Sequence, residues 1–242
     1  MHGPKPMLAN SPRKPSPLSI AWQALKGKLA FCMETFVACP WAAKQWKLIH
    51  ALATAIEARH AASKDELQRV RWYATFLAAE LKLPRRQRKD LELAALLHDI
   101  GLLAIPEVLT HKPGPLAPEE FEKIKTHPVV GACILQQAGF SDDVVRIVRA
   151  HHEAWDGTGY PDGLRGESIP LGARILSVAD CLVALTSPRP YRSAQDPETA
   201  LRWLVTQAGR RFDPVVVQSL GRCWVRLQQA TAASASRGAD ST

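Results

Sequence analysis

Apolar residues recur at spacings of three and four through Trp41 to Ala58, Leu67 to Leu83, Leu91 to Ile100 and Val144 to His152. That period belongs to helices burying one face, and it predicts an all-α domain. Pro84 ends one helix, and the RRQRKD segment starts the next with its charges in solvent. Two segments break the pattern. Gly101 to Pro118 carries Pro106, Pro113, Gly114, Pro115 and Pro118, and Glu153 to Pro170 carries four glycines and two prolines. Ordered loops of that length in a compact domain are more often functional than ornamental. Residues 1–17 hold five prolines among polar and basic neighbours, and with the tail 229–242 they are predicted to be disordered. Between the tails, residues 18–63 read as a helical N-terminal appendage and 64–228 as the principal domain. Trp22, Trp41 and Trp46 in the appendage suit protein contacts, including a homodimer.

The length, 242 residues, allows one good-sized core. No stretch approaches the roughly 18 apolar residues that span a bilayer, and the opening MHGPKPMLANSPRKPSP lacks the apolar core of a signal peptide. The expectation is a cytoplasmic protein with no membrane segment. Five scattered cysteines, none in a CxxC pair, suggest neither a disulfide framework nor a zinc ribbon. A net charge of +8 favours anionic partners, a phosphorylated small molecule or a nucleic acid.

The chemistry concentrates in a few polar residues placed where apolar ones belong. His98 and Asp99 close the apolar helix LELAALLHD, His127 precedes Pro128, His151 and His152 follow VVRIVRA, and Asp180 lies within RILSVADCLVAL. Burying such groups costs several kcal/mol unless they are matched by partners or a metal. Any one of them has the plain reading of a hydrogen-bonded core residue. Four imidazoles and two carboxylates together suit two adjacent divalent ions, iron or manganese, with a carboxylate able to bridge them.

The segment HDIGLLAIPEVLTHKPGPLAPEEFEKIKTHPVVGACIL, followed by HHEAWDGTGYPDGLRGESIPLGARILSVAD and ALTSPRPYRSA, closely resembles the HD-GYP family of metal-dependent phosphohydrolases. With RVRWYATFLAAELKL upstream and GRRFDPVVV downstream, the likeness covers about residues 64–220. It implies an HD-domain helical bundle that hydrolyses cyclic dimeric GMP in bacterial second-messenger signalling, with no role for DNA. Carried over position by position, it makes His98, Asp99 and Asp180 ligands of one metal and His127, His151 and His152 ligands of a second, Asp99 bridging. It implies that Gly159, Tyr160 and Pro161 shape the substrate side and offer a contact for a diguanylate cyclase. It also implies that Arg189 and Arg192 face substrate phosphate, Arg189 joining Asp99 in catalysis.

Three positions depart from the family pattern. Leu102 stands where HDIGK has lysine, Val183 where a second aspartate follows Asp180, and Glu66 where HxxRV has a histidine ligand; a carboxylate can still hold a hard metal. The first two remove polar groups expected near the reacting phosphate. Three functions follow: a cyclic-dinucleotide phosphodiesterase, an impaired sensor or adaptor that binds the dinucleotide or a cyclase, and a hydrolase of another phosphorylated metabolite.

Overall fold

A computed structural model describes residues 40–59, 66–188, 192–222 and 224–226. The disorder expected of 1–17 and 229–242, and the expectations for 18–39, fall outside these residues. Nine helices are numbered here: α1 (Pro40–Arg59), α2 (Glu66–Glu80), α3 (Arg85–Leu97), α4 (Glu107–Thr110), α5 (Pro118–Ile124), α6 (His127–Gln137), α7 (Asp142–Ala150), α8 (Leu171–Thr186) and α9 (Pro197–Thr206). Residues 214–222 are also helical. Among the described residues no strand forms beyond isolated bridges such as that between Ala208 and Phe212, so the fold is all-α as expected.

Helix α8 is the axis of the bundle. It touches α2, α3, α7 and α9, and its Ala173, Ile175, Leu176, Val178, Ala179, Leu182 and Val183 are buried. A helix apolar on nearly every side belongs in the middle of a core. Around it, α2 packs on α3, α3 on α7, and α6 on α7 and the 3-10 turn Ile100–Ala104. No helix among the described residues is long and apolar enough to cross a membrane.

The ends of the helices differ from the periodicity in ways that matter for the site. Helix α2 stops at Glu80 because Lys82 takes a left-handed φ of 56° and the Lys82 and Leu83 N–H groups bond back to Ala79 and Ala78 at 3.0 and 2.9 Å. This turns the chain sharply ahead of Pro84. Helix α7 starts at Asp142, two residues early, because Ser141 Oγ accepts the Val144 N–H at 3.4 Å. Helix α3 ends at Leu97 where the apolar run continues to Ile100, and the chain passes through His98 and Asp99 into the 3-10 turn. The expected non-helical stretch from Gly101 thus contains that turn and the short α4.

Candidate metal centre

Three helix ends deliver the histidines. At the end of α3, His98 donates its Nδ1–H to Ala95 O at 3.0 Å. At the start of α6, His127 donates to Ile124 O at 2.8 Å, and after α7, His151 donates to Val148 O at 2.6 Å. Each ring is tied by one nitrogen to a carbonyl three residues back, which fixes the tautomer and leaves Nε2 to face the interior. His98, His127 and His151 are all buried.

The free nitrogens converge with two carboxylates. His98 Nε2 lies 3.3 Å from Asp99 Oδ2 and 3.8 Å from Asp180 Oδ1. His127 Nε2 lies 3.5 Å from Asp99 Oδ1 and 3.3 Å from His151 Nε2. The two oxygens of Asp99 therefore face two different histidines. The His152 ring packs against those of His151 and His127, with centroids 4.0 and 5.0 Å apart. Of the residues expected to ligate, six are thus gathered in one place. Glu66 is buried in the first turn of α2, outside the two compact donor groups, His127 with His151 and His152, and His98 with Asp99 and His151.

The electrostatics describe a place short of a cation. Burial pushes His127 down, His151 well down and His152 to about 3, so these rings are neutral near pH 7. For His98 burial acts downward too, but the charges of Asp99 and Asp180 outweigh it and hold the ring at about 9. Asp99, against its burial, is held well below the usual carboxylate range by His98 and then His127. Two neutral ring nitrogens 3.3 Å apart beside the ionised Asp99 carboxylate and the Asp180 oxygens, each ring fixed by its far nitrogen, form a mixed nitrogen and oxygen donor set that fits a divalent transition metal.

One glycine makes this convergence possible. A Cβ at Gly101 would stand 1.9 Å from His127 O and 2.6 Å from Gly131 N. The bare backbone of the 3-10 turn therefore lies directly on α6 and brings Asp99 to His127.

The loop after His152 closes over the site. Tyr160 N–H bonds to His152 O at 3.2 Å, and its ring stands 5.0 Å from that of His152. A Cβ at Gly159 would fall 2.1 Å from Ala154 N, so the loop doubles back on its own start. The Tyr160–Pro161 peptide bond is cis. Outside Tyr160 stand Phe121, 6.4 Å between centroids, and Lys125, whose Nζ is 5.8 Å over the tyrosine ring. Glu153, buried, accepts the Asp162 N–H at 2.7 Å, and Asp162 takes two bonds from Arg149, both 2.7 Å.

Arg192 is exposed and donates to Ala184 O at 2.7 Å, while Arg189 lies outside the described residues. Leu102 is half-buried in the 3-10 turn. Val183 is only 2% exposed, so it belongs to the core, and the expectation of a lost substrate contact there changes. One turn on, Thr186 and Ser187 accept bonds from Arg69, the latter at 3.0 Å. A carboxylate at 183 would share that helix face with the Arg69 guanidinium. Glu153 and Lys125 escaped the sequence reading, because a buried loop carboxylate and a lysine over the Tyr160 ring look like any solvated charge.

A family model described as HD domain matches residues 50–216. The cyclic di-GMP phosphodiesterase response regulator RpfG of Xanthomonas campestris pv. campestris is 42% identical over 188 residues, 77% of this chain and 50% of that protein. The 3'3'-cGAMP-specific phosphodiesterase 2 of Vibrio cholerae is 36% identical over 180 residues, 74% of this chain and 34% of that protein. The chain thus spans about half or less of these curated relatives. The crystal structure of a cyclic GMP-AMP specific phosphodiesterase of V. cholerae, V-cGAP3, superposes with a TM-score of 0.62 at 21% identity, over 76% of this chain and 50% of that one, a likeness of fold.

Proposed function

The chain belongs to the HD domain family, in its HD-GYP branch, and from that premise we propose that it is a metal-dependent phosphodiesterase that opens a cyclic dinucleotide, cyclic dimeric GMP in particular. The observation that carries the reading is the convergence of the Nε2 atoms of His98, His127 and His151 on Asp99 and Asp180, with every partner nitrogen Nδ1 already bonded to the main chain.

In this reading His98, Asp99 and Asp180 hold one divalent ion, and His127, His151 and His152 hold a second, iron or manganese. Asp99, whose two oxygens face His98 and His127, would serve both ions. When bound, such ions supply Lewis acidity to a phosphoryl oxygen and make water a stronger acid. The protein's own share is to orient and enclose. The carbonyls of Ala95, Ile124 and Val148 aim the rings, and Tyr160 walls the site beside His152. The family likeness assigns Arg189 and Arg192 to the substrate phosphate. Hydrolysis breaks one ester bond of the ring; the water oxygen ends on phosphorus, the released ribose oxygen takes a proton, and a linear dinucleotide leaves.

A second reading, a sensor or adaptor that binds the dinucleotide or a diguanylate cyclase without turnover, is favoured by Leu102, which gives the 3-10 turn no cation. Protein reconstituted with manganese or iron is incubated with cyclic dimeric GMP and 3'3'-cGAMP, with His98→Ala and Asp99→Ala as controls. Linear product from the wild type alone supports the phosphodiesterase. Binding without product selects the second reading, and faster hydrolysis of nucleoside mono- or triphosphates overturns both.

A further inference from the structure

Among the large apolar side chains exposed in the described residues, Phe121 is the one aromatic, at 43% accessible. A lone apolar residue on a surface needs no explanation, so what matters is its place. Two separate sets of contacts fix that place relative to the histidines of the candidate metal centre.

The first runs through the main chain. Glu120 accepts the Ala117 N–H at 2.7 Å where α5 begins, and Phe121 O accepts the Lys125 N–H at 2.9 Å where it ends. Three residues on from Phe121, Ile124 O takes the Nδ1–H of His127 at 2.8 Å. The short helix that presents the phenyl ring is therefore the one that aims the imidazole. The second set runs through rings. Tyr160 has its ring 6.4 Å from that of Phe121 and 5.0 Å from that of His152, which packs in turn on His127 and His151. Lys125, paired with Glu122 at 2.6 Å, holds Nζ 5.3 Å over the Phe121 ring and 5.8 Å over the Tyr160 ring, so one cation binds both aromatics.

The centre is open on one side. The side chains of His98 and His127 are 4% and 3% exposed, whereas those of Asp99 and Asp180 are 33% and 32% exposed, and His152 and Tyr160 are half-buried. Phe121 stands beyond Tyr160 as the outermost ring of the series that starts at His127 and His151.

Each phosphodiester of a cyclic dinucleotide is flanked by two nucleosides, so a phosphate at the metals carries a purine on either side. The faces of a purine are flat and apolar, and an aromatic ring stacks on them whatever groups the base bears at its edge. We propose that Phe121 is a substrate-binding residue, its ring stacking on a purine of the cyclic dinucleotide whose neighbouring phosphodiester lies at the metal centre. This rests on the cyclic-dinucleotide reading above. The stack touches no reacting atom and is made equally before and during hydrolysis, so it acts on KM and leaves kcat alone. It also serves guanine and adenine alike.

The test compares Phe121→Ala, Phe121→Leu and Phe121→Trp with the wild type, all metal-reconstituted, for metal content, Tm, kcat and KM on cyclic dimeric GMP and 3'3'-cGAMP. Equilibrium affinity is read with the phosphorothioate analogue of cyclic dimeric GMP, which is slow to cleave, and inorganic phosphate, which has no base, is titrated calorimetrically into the same samples. The expected result is about 5- to 100-fold weaker KM and affinity in Phe121→Ala for both dinucleotides, the scale of one base–aromatic stack. Phe121→Leu recovers little and Phe121→Trp nearly all, with kcat, metal content and phosphate affinity unchanged throughout. Wild-type affinity in Phe121→Ala overturns the assignment. A leucine variant as good as the tryptophan one overturns it too, since it marks plain packing behind Tyr160, and so does a matching loss of phosphate affinity or metal, which marks support of the centre itself. Should the wild type bind but not hydrolyse, the phosphodiesterase reading falls and the affinities of the variants still decide the role of Phe121. A wild type that neither binds nor hydrolyses either dinucleotide overturns both.

Discussion

Gly101→Ala adds a single methyl group to the protein at the point where the 3-10 turn meets α6. The methyl would stand 1.9 Å from His127 O, whereas ordinary contact begins at 3.4 Å, so the two backbones must part by roughly 1.5 Å. Both atoms in collision are main chain, and no rotamer change can relieve them. Overpacking of this kind costs about 1–3 kcal/mol. At about 2–4 °C per kcal/mol for a domain of this size, Tm falls by roughly 2–12 °C in metal-free protein. The larger effect is local. The gap between Asp99 Oδ1 and His127 Nε2, now 3.5 Å, widens, while metal–ligand distances tolerate only about 0.2 Å. Metal affinity is expected to drop about 10- to 100-fold, as it does when the support behind a ligand is removed. The assay is titration of the metal-free variant with manganese beside a thermal melt of the same sample. Wild-type affinity in a folded Gly101→Ala protein would refute the claim that this contact sets the ligand geometry.

Asp180→Ala and His127→Ala are expected to lower bound metal below the wild-type content, read by elemental analysis after dialysis. Arg174→Ala leaves the buried Asp213 carboxylate without its partner 2.6 Å away and should destabilise the fold by about 3–5 kcal/mol, measured by denaturant titration. Leu102→Lys, at a half-buried position, is expected to raise kcat by up to about 10²-fold by restoring a charge near the phosphate. Val183→Asp, at a position 2% exposed, should lower stability with no gain in kcat, and a rate increase from that variant alone would place residue 183 at the substrate after all.

The helical class and the clustering of the six candidate residues were legible because each rests on a local signal. Apolar spacing marks α1, α2, α3 and α7, and polar groups interrupt apolar runs at His98, His151 and Asp180. What escaped depends on depth and on contacts between distant segments. RILSVADCLVAL is apolar on all sides, so the sequence cannot say that Val183 faces the core while Asp180 faces the histidines. The end of α3 at Leu97 follows from Gly101 meeting α6 some thirty positions on. Glu153 reads as a loop charge until its bond from the Asp162 N–H places it.

The three Nδ1–H bonds to Ala95, Ile124 and Val148 have an evolutionary consequence. Every residue type offers the same carbonyl, so the bonds that aim the rings do not depend on which side chain those three positions carry, provided that the backbone stays in place. Sequence drift around the centre can then change neighbouring groups without scattering the six side chains. A lineage built this way can lose turnover long before it loses its metal, and a binding protein descended from an enzyme would keep the same six side chains in the same place.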